Sequence, residues 1–196
     1  MQALTLAVSP PTRRRIYTKD TSSKPKRSAW KGIVAGAVGG FAASWVMGQF
    51  HALSNKAIGE VTSKETFREL QRASADAQEA TAKVADRVSQ PLLRRKLRYS
   101  EKQRAKPIVH YAFGSAVGAV YGATAEYRPI VRKFAGAPFG AAVFAGADQL
   151  ALPALHLTRK PTEYPPALHA TEFGAHIVYG VTLESVRRLV RLILRA

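Results

Sequence analysis

The sequence predicts an all-α polytopic membrane helix bundle with about four transmembrane helices and a polar linker helix. Three observations predict it. First, Lys, Arg, Asp and Glu are absent from residues 32–55 and 107–125. Residues 134–158 hold only Asp148, and residues 164–186 hold only Glu172 and Glu184. These windows run 24, 19, 25 and 23 residues, and a helix needs roughly 20 to cross a bilayer. Second, small residues recur every four positions inside the windows, which lets helix backbones approach closely where lipid supplies no hydrophobic drive. Third, the last window carries Glu172, His176, Gly180, Glu184 and Arg188 at strict four-residue intervals. On a helix these form one slowly drifting polar stripe, and ionisable groups at membrane depth face protein or water, not lipid.

Composition taken whole points elsewhere. A chain of 196 residues suits one domain. Its net charge of +17 and pI of about 10.6 would suit a nucleic-acid binder, which stands as the alternative from another class. The segregation of charge between the windows argues against it, so no nucleic acid is expected as a partner. The mean hydropathy of -0.12 is low because two long polar segments dilute the apolar ones. There is no Cys, which excludes disulfides, thiol catalysis and Cys-ligated metals within the chain.

In chain order, residues 1–31 read as a basic, flexible arm, with eight Lys/Arg against Asp20. The first membrane helix is expected over 32–55. Gly32, Gly36, Gly40, Ser44 and Gly48 form a glycine-zipper row along it, Trp30 suits the interfacial belt, and Gln49 and His51 mark its far end. Residues 56–106 are a polar, basic linker. Residues 60–90 are expected as a helix with a thin stripe of Val61, Phe67, Leu70, Ala77, Val84 and Val88. Ion pairs at i,i+3 are expected for Glu65 with Arg68 and Glu69 with Arg72. Residues 92–106 carry seven basic residues and one acid, and either lie on anionic headgroups or form a solvated linker.

Residues 107–196 hold membrane helices two to four and a short basic tail. Pro107 suits a helix start. His110, Gly114, Gly118, Gly122 and Glu126 again recur every four. The third helix is expected from Phe134 to Thr158, slimmed by Gly136, Gly140 and Gly146. A kink is expected at Pro153, which lacks the N–H that would bond the Gln149 carbonyl. Lys and Arg number 15 on each side of a four-span chain, so the positive-inside rule ties. Termini inside is the expectation, since the first helix usually dominates.

Of the ionisable residues in the windows, Glu126, His156 and His169 are expected near headgroups. His110, Asp148, Glu172, His176 and Glu184 are the candidates for a buried polar cluster or a proton or ion path. A metal reading would use Glu172 and His176 at i,i+4 with His110 or Asp148 as third ligand. The zinc-protease HExxH pattern is absent, and no metal and no cofactor are expected. The bland reading is glue: Glu184 with Arg187 or Arg188, and His110 with Glu172. No nucleophile elbow, P-loop or dinucleotide fingerprint occurs, so no enzyme is expected.

A family resemblance follows from several of these residues. They are Glu101-Lys102 ahead of Pro107 and His110-Tyr111, then Gly118, Tyr121-Gly122 and Ala125-Glu126. Pro153, then Glu172, Gly174 and His176, then Glu184 and Arg187-Arg188 complete the set. In that order they make the chain similar to the YagU-like family of small bacterial inner-membrane proteins, over roughly residues 101–190 and more loosely over the first apolar helix. The resemblance implies a helical protein of the bacterial inner membrane and brings no catalytic residues. Expected partners are the lipid bilayer, anionic headgroups and, as an open option, further copies of the chain. The expected role is a structural or stress-related envelope component, with a proton- or ion-conducting element as the alternative.

Overall fold

The computed structural model describes residues 27–194. The arm expected over 1–31 therefore lies mostly outside the described residues, as does the tail beyond Leu194. The described chain is all-helical. It comprises α1 (Ala29–Val61), α2 (Lys64–Leu93), α3 (Tyr99–Tyr127), α4 and α5 (Pro166–Ile193). Helix α4 is continuous over 137–154, built from Ala137–Val143, a π-helical stretch Phe144–Ala151 and a last turn Leu152–Ala154.

Glycine sets the packing. A Cβ at Gly32 would meet the Gly122 carbonyl, one at Gly36 the Gly118 carbonyl, and one at Gly40 the Gly114 carbonyl. Helices α1 and α3 therefore run antiparallel, backbone against backbone. Ser44 takes the next place, with its hydroxyl against Gly114. The expected fifth member, Gly48, meets nothing within 4 Å. The row drifts around the helix because four residues overshoot the 3.6-residue turn, and by Gly48 it has left the seam. Neighbouring Gly39 sits against the Leu183 carbonyl of α5 instead.

A second seam joins α4 and α5, also antiparallel. Gly136 and Gly140 lie against the Gly180 and His176 carbonyls. Gly146, expected to slim this helix, meets nothing within 4 Å. Helices α3 and α5 run parallel: Tyr179 Oη donates to the Gly114 carbonyl at 2.6 Å, and Tyr121 Oη to Glu184 Oε2 at 2.9 Å. Between them Ala43, Met47, Tyr121, Ala125, Ala175, Tyr179 and Leu183 make the apolar core.

Several helix boundaries differ from expectation. Helix α1 runs on to Val61, past the uncharged window, because nothing between Asn55 and Val61 breaks it. Helix α3 starts at Tyr99, and Pro107 lies inside it. The earlier start is fixed by Glu101, whose carboxylate accepts the Arg98 N–H at 2.7 Å and so satisfies a donor the helix cannot. Helix α4 begins at Ala137, not Phe134, because Phe134, Ala135 and Gly136 all have positive φ, at 51°, 53° and 85°. It ends at Ala154, short of Thr158, with His156 again at positive φ. The distortion expected at Pro153 is spread over the π-helical stretch just before it, where the wider i→i+5 bonding continues as Leu157 N–H to the Leu152 carbonyl, 2.9 Å.

Helix α2 lies across one end of the bundle. Lys83 Nζ reaches the Leu157 carbonyl at 2.9 Å, and Asp76 holds Arg159 and Tyr164 at 2.9 and 2.8 Å. Its buried line is alanine, namely Ala73, Ala80, Ala82 and Ala85; of the expected stripe, Val88 is exposed and Val61, also exposed, belongs to α1. Larger residues would hold the helix away from the loop it touches. The expected pairs of Glu65 with Arg68 and Glu69 with Arg72 do not form among the described residues. The acids of α2 reach other elements instead: Asp76 to Arg159, Glu79 to Lys106 and Asp86 to Lys102.

Candidate functional site

The polar stripe of α5 splits into two clusters, separated by the glycine seam at Gly180. Toward the N-terminal end of α5, Glu172 and His176 meet Asp148 from the π-helical stretch of α4. One ligand-type atom from each of the three lies within 4.8 Å of the others. His176 Nε2 stands 3.7 Å from Asp148 Oδ2. His176 Nδ1 lies 2.8 Å from the Glu172 carbonyl, one turn back on its own helix. A carbonyl only accepts, so Nδ1 carries a proton and donates it, and Nε2 is the ring nitrogen that faces the cluster. His176 is 7 % exposed, and its ring packs 5.6 Å from Phe144.

The fourth member is His51 of α1, whose Nε2 is 3.6 Å from Glu172 Oε2. In the sequence His51 stands out only as the end marker of an apolar window. Its signal is that all five His of the chain, His51 among them, fall within those windows, but nothing local in α1 ties it to Glu172. His110, expected opposite Glu172, instead lies with Nε2 3.4 Å from the Ser44 carbonyl. The close α1–α3 seam carries it there. A cavity of about 20 Å³ opens beside His51 and Glu172, lined also by Asn55, Ser74 and Thr171. That is room for one water.

At the other end lies an arginine-rich cluster. Glu184 is fully buried and accepts Arg187 Nε at 2.6 Å, Arg188 Nε at 2.6 Å and Tyr121 Oη. Glu126, expected near headgroups, is buried against Arg191 in a two-bond fork. Arg191 reads in the sequence only as part of a basic tail; the signal that it faces inward is its four- and seven-residue spacing from Arg187 and Glu184. Arg27, Arg132, Lys133, Arg187, Arg188 and Arg191 surround an open basin of about 720 Å³ in which Glu126 is the single acid. His156 lies in the turn after α4, and His169 bonds the Pro161 carbonyl at 2.8 Å and Gln149 at 3.3 Å. Both stand outside the two clusters.

The clusters differ in how their charge is balanced. Glu126 and Glu184 each have arginine partners. Asp148 and Glu172 have imidazoles and, among the described residues, no Lys or Arg. An arginine-paired acid is fixed as an ion. An acid without an arginine partner is open to a cation.

No curated protein and no solved structure matches the chain. A family model matches residues 72–185, taking in the later part of α2, which the YagU-like resemblance leaves aside, and leaving out α1. The family named by that match is not called YagU-like, and it carries no assigned activity. The match spans more than half of the chain, which therefore belongs to the family described as a protein of unknown function, DUF1440.

Proposed function

We propose that the chain is a small integral protein of a bacterial inner membrane, crossing it through α1, α3, α4 and α5. In this reading it serves as a structural envelope component without turnover. The supporting observation is an inversion of polarity. Glu184 is 0 % and Arg187 3 % exposed, while Trp30, Phe41, Trp45 and Phe113 are each more than half exposed. A water-soluble fold buries its aromatics and shows its charges, and a broad exposed apolar face calls for a partner or a lipid phase. Among the described helices, α1 is the one long and apolar enough by itself to cross a membrane. The others are diluted by the Gly and Ala that let them pack and by charges at their ends. Trp30, Tyr127 and Phe134 are exposed at the same end as the basic basin, as suits headgroup depth beside anionic lipid.

The test is extraction. Membranes washed with high salt and alkaline carbonate retain the chain, and only detergent releases it. Release by either wash defeats this reading. A reporter active only in the cytoplasm, fused after Ala196, is active if the termini are inside.

The second reading, an ion-conducting element, is favoured by the Asp148, Glu172, His176 and His51 cluster. Cation flux into liposomes carrying wild type, Glu172→Gln or His176→Ala tests it, and an equal leak in all three removes it.

A further inference from the structure

We infer that Asp148, Glu172 and His176 form a binding site for a divalent first-row transition-metal ion, with His51 steadying Glu172. The inference rests on the cluster described above and not on passage of ions through the protein. The expectation of no metal comes from the missing HExxH pattern, which looks along one helix. Here the ligands come from two helices and their steadying residue from a third.

Four observations carry it. The first is distance. His176 Nε2 and Asp148 Oδ2 are 3.7 Å apart, too far for a hydrogen bond. Two ligands about 2.1 Å from one ion at a tetrahedral angle stand about 3.4 Å apart, so a small inward movement brings both onto one ion. The second is the tautomer. With Nδ1–H engaged by the Glu172 carbonyl at 2.8 Å, Nε2 is the ring nitrogen turned toward Asp148 and has no hydrogen-bond partner among the described residues. That is how a metal-ligating imidazole is held and oriented.

The third is charge. Two carboxyl groups share a site with no Lys or Arg among the described residues, and a divalent ion would balance them as carboxylates. Glu126 and Glu184, the more deeply enclosed acids, show what this chain does when an acid is balanced by protein: it supplies arginine. The fourth is backbone geometry. Asp148 lies in the π-helical stretch Phe144–Ala151, a wide turn that costs regular bonding and that recurs at functional sites.

The donor set selects the class of ion. One imidazole and two carboxylates suit Zn²⁺, Mn²⁺ or Fe²⁺; Mg²⁺ and Ca²⁺ favour oxygen ligands alone, and Cu⁺ favours sulfur.

The test uses full-length chain in detergent, purified without a polyhistidine tag and stripped with a chelator. Co²⁺ titration should give visible d–d bands saturating at one equivalent and displaced by Zn²⁺. The near-isosteric Asp148→Asn and Glu172→Gln, and His176→Ala, should weaken binding by about tenfold to a hundredfold, with His156→Ala unchanged. Circular dichroism of each variant establishes that it is folded. A flat titration of wild type, or equal affinity in wild type, Asp148→Asn and Glu172→Gln, overturns the inference and leaves the membrane reading standing. Release by carbonate with an intact Co²⁺ signal overturns the membrane reading and leaves the metal site standing.

Discussion

Arg191 and Glu126 meet 65 residues apart in a fork, with Nε to Oε1 at 2.6 Å and Nη2 to Oε2 at 2.8 Å. Both side chains are more than nine-tenths buried. The pair ties the C-terminal turns of α3 and α5 together, and Arg187 Nη1 stands a further 3.8 Å from the same carboxylate.

Removing one half of this fork leaves the other buried without its partner. Arg191→Ala should lower stability by about 3 kcal/mol, read as loss of helical signal in a denaturant titration in micelles. Arg191→Lys should recover only part, since an ammonium cannot make the two-bond fork. Arg191→Ala combined with Glu126→Gln should be less damaged than the sum of the singles. Full additivity would mean that the pair contributes nothing.

The α1–α3 seam predicts a contrast between glycines. A Cβ at Gly118 would press on the Gly36 carbonyl and come within 2.8 Å of Gly40 Cα. Backbone cannot step aside as a side chain does, so Gly118→Ala should cost about 1–3 kcal/mol. Gly48→Ala, with nothing within 4 Å, should be neutral or gain up to about 1 kcal/mol from helix propensity. The same melting measurement on both variants checks this, and equal losses would contradict the seam.

Tyr179 Oη donates to the Gly114 carbonyl at 2.6 Å within the core, at a residue where glycine has left the backbone open to approach. Tyr179→Phe keeps the ring and removes the donor. It should cost about 0.6 to 2 kcal/mol. Double-mutant analysis is impossible against a carbonyl, so the check is the single-variant melt beside Tyr111→Phe as a peripheral control.

The elbow between α2 and α3 should loosen in acid. The Lys102 ammonium, at 2.9 Å, and the Leu97 N–H hold the Asp86 carboxyl below its usual range. The Arg95 guanidinium and the Arg98 N–H pull Glu101 down to about 2. Both acids are depressed in the folded chain. Their contribution is therefore full above the ordinary carboxylate range near pH 4, and it is lost as pH falls from there toward about 2. Local opening at residues 94–102, read as amide exchange divided by the intrinsic rate at each pH, should rise over that window and stay flat from pH 5 to 8. Glu101→Gln should exchange faster at neutral pH and respond less to acid.

Much of the helix inventory is legible in the residues alone. Uncharged windows over 32–55 and 107–125 sit inside α1 and α3 because lack of charge and of helix breakers is local information. The four-residue spacing of Glu172 with His176, and of Gly114 with Gly118 and Gly122, likewise marks shared faces. Boundaries are less legible. Pro107 reads as a start but lies inside α3, since the true start depends on Glu101 reaching back to the Arg98 N–H. Positive φ at Phe134 and Ala135 has no sequence signature, because neither residue favours it.

What the sequence by itself determined was which residues share a helical face and which stretches tolerate no charge, both consequences of a 3.6-residue turn and of the cost of burying ions. What only the tertiary structure decided was which face meets which. Gly40 lies on Gly114, and of the two residues the sequence sets against the Glu172 stripe only Asp148 arrives, with His51 in place of His110. Those partnerships depend on helix direction and axial register, set by how closely backbones can approach once every seam is packed together, and no spacing within a single helix encodes that.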